Sequence, residues 1–104
     1  MRTSFVYLLC DASNNLYKIG VSRKDPYKRI SQLQTGNGND IHLVSYHITK
    51  YPFKIEKHLH FIYGDKRQNG EWFSLEDDDV LNFKENCLKY EEIIESLRDN
   101  PFFS

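Results

Sequence analysis

Two short stretches rich in bulky apolar residues open the chain and predict adjacent strands. Residues 4–10 and 16–21 are rich in the aromatic and β-branched side chains that favour extended backbone. Between them, Asp11 to Asn15 is a run of turn-forming residues. The pattern therefore predicts an antiparallel hairpin.

Apolar spacing and turn residues also predict the elements that follow. Asp25 and Pro26 are typical of a helix start, and this helix should run through Leu33 and end at Thr35 and Gly36. A third strand is expected over 41–49 and a second helix from Pro52, apolar at helical spacing. Further elements are a polar loop over 64–70, an extended segment over 71–75, and one or two helices from Asp77 onward.

This order predicts an α/β fold in which a small, mostly antiparallel three-stranded sheet is flanked by helices. The 104 residues suffice for a single domain, with a core over 4–75 and an acidic helical C-terminal segment over 76–104. No targeting segment or apolar run long enough for a membrane span is visible. No membrane partner is therefore expected. Cys10 and Cys87 lie far apart and are expected to be reduced, part-buried thiols of an intracellular protein, with a disulfide as the alternative.

Charge is distributed unevenly along the chain. Residues 1–75 contain eleven Lys and Arg against six Asp and Glu, a net charge of +5, whereas residues 76–104 carry −6. A basic body suits a polyanionic partner, and an acidic tail would repel one. Ordinary surface charge would explain the asymmetry equally well.

The hairpin places two reactive side chains on one face of the predicted sheet. With a four-residue turn over 11–14, Tyr7 would lie directly opposite Lys18. An ammonium beside a phenol favours the phenolate form, which accepts a proton from water. An ordinary aromatic–aliphatic strand pair is the alternative.

Five sequence blocks, with the two half-motifs of the first hairpin counted as one, resemble in order the GIY-YIG nuclease superfamily, in particular its small phage- and virus-type branch. Phe5–Tyr7 and Lys18–Gly20 resemble the paired half-motifs, with Phe5 in place of a glycine and Lys18 in place of the second tyrosine. The remaining blocks extend the resemblance to about residue 75; they are Lys28-Arg29-Ile30, Gln32 to Asn37, Glu56-x-x-x-His60-Phe61, and Arg67-x-x-Gly70-Glu71-Trp72-Phe73.

The resemblance implies a metal-dependent endonuclease that hydrolyses DNA, with RNA as an open alternative substrate. Tyr7 would be the general base and Lys18 would hold its phenolate. Arg29 would fork onto phosphate oxygens, and Glu56 would hold one Mg²⁺ or Mn²⁺ together with water. Solvated helix charges are the alternative for Arg29 and Glu56.

Further residues are candidates for nucleic-acid binding. Lys18 and Arg29 should share one phosphate-tracking surface with Arg23, Lys24 and Lys28. His60 follows Glu56 by one helical turn and could line the metal site, contact phosphate, orient Glu56 or pack beneath the sheet. Arg67 could contact the nucleic-acid backbone or cap a helix. Trp72 and Phe73 are expected in the core.

Two other functions fit the same sequence. The chain could be a catalytically inactive module that binds nucleic acid, or a protein-interaction domain whose acidic C-terminal helix docks onto a partner or onto its own basic face.

Overall fold

The computed structural model describes residues 4–23, 25–37 and 40–98, and its elements follow the predicted order. They are β1 (Ser4–Asp11), β2 (Leu16–Ser22), α1 (Pro26–Asn37), β3 (Ile41–Thr49), α2 (Pro52–Ile62), a 3-10 turn (Gly64–Lys66), β4 (Arg67–Asn69), β5 (Trp72–Phe73), α3 (Asp77–Leu81) and α4 (Phe83–Arg98).

The described strands form one antiparallel sheet in the order β3-β1-β2-β5-β4. An α/β fold with an antiparallel sheet is confirmed, but the prediction of three strands is wrong, because β4 and β5 add a second hairpin. Gly70 makes the turn of that hairpin with φ +61°, a conformation that glycine adopts without steric cost. The segment 64–70, predicted as a loop, therefore contains a strand.

The sheet separates two apolar clusters. On one face, Val6, Leu8 and Ile19 pack with Ile55 and Leu59 of α2. That cluster continues into β5 and α4 through Phe73, Phe83, Cys87 and Ile94. On the other face, a smaller cluster unites Tyr7, Leu9, Ile30 and Ile41, with Trp72 packed against it. Thus α2 and α4 cover one face of the sheet, and α1 covers the other.

Helix α1 begins as predicted and ends later than predicted. The Asp25 carboxylate accepts a hydrogen bond from the Tyr27 backbone N–H at 2.9 Å, and Pro26 occupies the first helical position. The helix continues to Asn37, so Thr35 and Gly36 do not terminate it. Glycine tolerates helical backbone at a cost of only about 1 kcal/mol, which helix propagation can offset.

The acidic C-terminal helix packs onto the body of the chain. The Glu91 carboxylate lies 3.3 Å from His47 Nε2 and accepts a hydrogen bond from the Thr49 hydroxyl, and Tyr51 donates to Glu95 at 2.9 Å. Both cysteines are free, and burial raises the pKa of Cys87 to about 12. No helix in the described ranges combines the length and apolar character required to cross a membrane. A single domain over 1–104 stays a prediction.

Candidate active site

The observed register of the β1–β2 hairpin places Tyr7 opposite Gly20 and Leu9 opposite Lys18. The predicted pairing of Tyr7 with Lys18 is therefore wrong by two residues. The loop spans residues 12–15 instead of the predicted 11–14, because Asp11 belongs to β1 and pairs with Leu16. The Asp11 carboxylate stabilises this loop by accepting hydrogen bonds from Ser13 N (3.0 Å) and Asn14 Nδ2 (2.8 Å). A shift of two residues preserves the faces of a strand, so Tyr7 and Lys18 share one face as diagonal neighbours.

The Tyr7 ring lies directly over Gly20. A Cβ atom added to Gly20 would lie 2.4 Å from Tyr7 Oη and 2.5 Å from its Cζ. The tyrosine is only 3% exposed, so its ring has little room to move away. The glycine two residues after Lys18 is therefore required by the position of Tyr7.

We expect the Gly20→Ala substitution to displace the Tyr7 ring and to destabilise the fold. Forcing one methyl group into this contact should cost about 1–3 kcal/mol, the usual range for overpacking. Denaturant unfolding measures the change. Gly64→Ala is the matched control, since nothing lies within 4 Å of a Cβ at that position. Equal stability of the two variants would contradict the contact.

Lys18 forms an ion pair that the sequence analysis did not anticipate. Its Nζ lies 3.0 Å from Oε2 of Glu71, which directly follows the Gly70 turn. The hydrogen bond and positive charge of Lys18 hold the pKa of Glu71 below its usual range. Strand β5 makes this contact possible because Trp72 pairs with Lys18. The resemblance includes Glu71 in its block from Arg67 to Phe73, but it implies no role for this residue.

Glu56 of α2 lies close enough to Lys18, His60 and Glu71 for their charges to affect it. Burial raises its pKa above the usual value; the positive charges of His60 and Lys18 counteract this effect, and the negative charge of Glu71 adds to it. Neither a hydrogen bond nor an ion pair to another residue in the described part of the chain engages its carboxylate. A half-buried carboxylate with a raised pKa is typical of functional sites.

His60 lies at the edge of β2, one helical turn after Glu56. Its Nε2 is 3.4 Å from the carbonyl oxygen of Ile19, and its ring packs 5.4 Å from that of Phe73. Strand β5 pairs with β2 only at Tyr17 and Lys18, so the following part of that edge is open to α2. His60 therefore both packs against the core and approaches Glu56.

The predicted common face holds for Tyr7 and Lys18 but not for the helix that carries Glu56. Helix α2 packs on the face of Val6 and Leu8, but Glu56 is still near enough to Lys18 for that positive charge to lower its pKa. The alternating pattern of the strands could not reveal this proximity, because it does not determine where α2 packs on the sheet.

A common cationic surface of Lys18, Arg23, Lys24, Lys28 and Arg29 stays a prediction. Arg23, Lys28 and Arg29 are exposed, and Lys24 lies outside the described residues. Arg29 neighbours Ile30, which packs in the same cluster as Tyr7, but no contact within the described ranges joins Arg29 to Lys18 or Glu56.

Arg67 stabilises the second hairpin. Its guanidinium lies 5.1 Å from the centre of the Phe73 ring, and Nη1 donates to the Gly70 carbonyl at 3.4 Å. It bonds to a turn carbonyl in this structure, and a contact with nucleic acid stays a prediction. Phe73 is fully buried and Trp72 partly buried, as expected of core residues.

The donor groups near Glu56 fit a cation site with one protein carboxylate as ligand. Within the part of the chain that the structure describes, no three His, Cys, Asp or Glu side chains are grouped as metal ligands. Glu71 is engaged by Lys18, which leaves Glu56 as the carboxylate available to an ion. A hard divalent cation that keeps most of its water and binds through one carboxylate fits this donor set.

Comparison with known proteins identifies one family. A family model for the T5orf172 domain, which is found in phage-type and nuclease-like proteins, matches residues 4–88. No curated protein and no solved structure matches the chain. The matched segment runs from β1 into α4 and contains Tyr7, Lys18, Arg29 and Glu56. Since it covers well over half of the sequence, the chain belongs to the T5orf172 domain family.

Proposed function

We propose that this protein is a metal-dependent endonuclease of the GIY-YIG type that hydrolyses DNA phosphodiester bonds. The observation that carries the proposal is that the half-buried carboxylate of Glu56 lies within electrostatic reach of His60 and Lys18, while Lys18 shares a sheet face with the Tyr7 ring that lies on Gly20. Membership of the T5orf172 domain family supports a nuclease-like, DNA-related role.

Each residue of the proposed site has a defined task. Tyr7 acts as the general base: its phenolate oxygen takes the proton of the attacking water and becomes the neutral hydroxyl. Lys18, which shares the sheet face of Tyr7, contacts the phosphate, and Arg29 binds phosphoryl oxygens through its planar fork of donors.

Glu56 would hold one Mg²⁺ or Mn²⁺ ion. When bound, such an ion supplies positive charge that stabilises the phosphoryl oxygens and the departing oxygen. His60, one helical turn after Glu56, contributes a positive charge that lowers the pKa of that carboxylate. The raised pKa of Glu56 means that the ionised carboxylate is poorly solvated, which favours its pairing with a cation.

The engagement of α4 with its own chain favours this function over a protein-interaction role for that helix. The carboxylates of Glu91 and Glu95 already accept contacts from β3 and from Tyr51. These two acidic groups are therefore not available to dock a basic partner without first breaking internal contacts.

A cleavage assay tests the proposal directly. Supercoiled plasmid, branched DNA and single-stranded DNA are each incubated with the protein in Mg²⁺, in Mn²⁺ and in EDTA. We expect nicking or cleavage of at least one substrate in the presence of a divalent ion and none in EDTA. Binding without cleavage under all conditions would favour the inactive binding module.

We also expect opposite pH shifts from the two members of the Lys18–Glu71 ion pair. Lys18→Met removes a positive charge that lowers the pKa of Glu56, so cleavage should reach half its maximum at a higher pH. Glu71→Gln removes a negative charge that raises this pKa, so the same midpoint should move to lower pH. Rate profiles between about pH 5 and pH 9 measure both, since the essential ionisations appear in such profiles. Shifts of the same sign would exclude Glu56 as the titrating group.

A further inference from the structure

A groove of about 650 Å³ lies between α2 and α4, lined by a side of α2 different from the one that carries Glu56. Three cationic side chains line it, Lys54, Lys57 and Arg98, and its described lining contains no carboxylate. Its remaining surface is aromatic and aliphatic. This combination matches a ligand with both negative charge and flat apolar groups.

The aromatic side chains of the groove are arranged for stacking. His58 and Tyr90 are parallel, with ring centroids 3.8 Å apart and an interplanar angle of 1°. Phe61 is 82% exposed, which is unusual for so large an apolar side chain. Burial lowers the pKa of His58, so the neutral ring is favoured in this stack.

Helical spacing separates this groove from the proposed catalytic residues. Lys54, Lys57 and Phe61 follow one another at intervals of three and four residues and form one stripe on α2. Glu56 and His60 form another stripe that faces the edge of β2. A strand that crossed α2 would therefore meet both surfaces.

We propose that the groove between α2 and α4 is a binding site for single-stranded nucleic acid, with the lysines on phosphates and Phe61 on a base. Sequence-tolerant binding of single strands combines a cationic groove with aromatic rings on which bases stack. A duplex hides the faces of its bases and would use only the cations. This inference rests on the proposed affinity for nucleic acid, not on the cleavage chemistry.

Fluorescence anisotropy of a labelled twelve-residue oligothymidylate in EDTA tests the site without cleavage. Phe61→Ala should weaken binding about tenfold, within the usual contribution of one stacked base. Phe53→Ala is the matched control, because Phe53 is a 64% exposed phenylalanine on the same helix outside the groove. Equal affinity of the two variants would overturn the proposal.

The salt dependence of the same titration tests the lysines. Replacing both Lys54 and Lys57 with glutamine should reduce the slope of log K against log salt by about 1.4, since each phosphate contact on a single strand contributes about 0.7. Lys50→Gln, an exposed lysine outside the groove, should leave affinity and slope much closer to wild type.

Competition separates nucleic acid from an acidic protein segment as the ligand. Unlabelled oligothymidylate should displace the probe, and polyglutamate of equal charge should displace it weakly. Stronger displacement by polyglutamate would overturn the assignment. If the groove binds oligothymidylate but the protein shows no nuclease activity, only the proposed function is contradicted. If the protein is a nuclease but Phe61→Ala binds oligothymidylate as tightly as the wild type, only the proposed groove site is contradicted.

Discussion

Replacing Glu56 with glutamine should abolish cleavage while leaving the fold and DNA binding intact. Glutamine keeps the shape of the side chain but lacks the negative charge that a divalent cation requires. The loss should persist at high Mg²⁺, because no other carboxylate near Lys18 is without a partner within the described residues. Rates of plasmid nicking across a Mg²⁺ titration provide the measurement.

The stability of the Glu56→Gln variant distinguishes a lost ligand from a lost fold. Since burial raises the pKa of Glu56, the ionised form costs the folded protein free energy at pH values above that pKa. Glutamine removes this cost, so at pH 7 and above the variant should be at least as stable as the wild type. DNA affinity should be equal or higher, because a negative charge is gone. Undiminished cleavage by Glu56→Gln would show that Glu56 is not the metal ligand.

A matched substitution controls for charge removal on a helix. Glu92→Gln changes an exposed glutamate of α4, where no ion pair within the described ranges engages the side chain. This variant should cleave at the wild-type rate. A comparable loss in both variants would indicate a general effect of net charge on activity.

The parts of the fold that local sequence determines could be predicted. The first hairpin, the start of α1, the third strand and the start of α2 depend on apolar periodicity, turn residues and proline, all of which are local. The sheet face of a strand residue could be predicted as well. A register error of two residues still leaves Tyr7 and Lys18 on the same face, because side chains alternate along a strand.

The parts that depend on distant contacts could not be predicted in this way. Strand β4 has polar side chains at an edge of the sheet, so its pairing with β5 left no apolar pattern to detect. The ion pair between Lys18 and Glu71 exists only because β5 joins β2 across more than fifty residues of chain. Similarly, the influence of Lys18 on the pKa of Glu56 depends on how α2 packs on the sheet, which no local pattern determines.

The Tyr7→Phe variant should lose about 10²–10⁴-fold in cleavage rate, the usual contribution of a positioned general base. The ring stays in its contact with Gly20, because phenylalanine lacks only the hydroxyl. Folding stability and DNA affinity should therefore change little. Single-turnover cleavage rates, together with denaturant unfolding and anisotropy, separate the three quantities.

Tyr17→Phe is the control that tests the assignment of Tyr7 most sharply. Tyr17 immediately precedes Lys18 on β2, but it packs with the opposite cluster, with Val6 and Ile19. Its hydroxyl is therefore on the wrong face to accept a proton from water at the site that Tyr7 and Lys18 share. Tyr17→Phe should keep nearly full activity while Tyr7→Phe loses it. If the two variants cleaved equally well, membership of the T5orf172 domain family would stand, but a group other than Tyr7 would have to be the general base that accepts the proton of the attacking water.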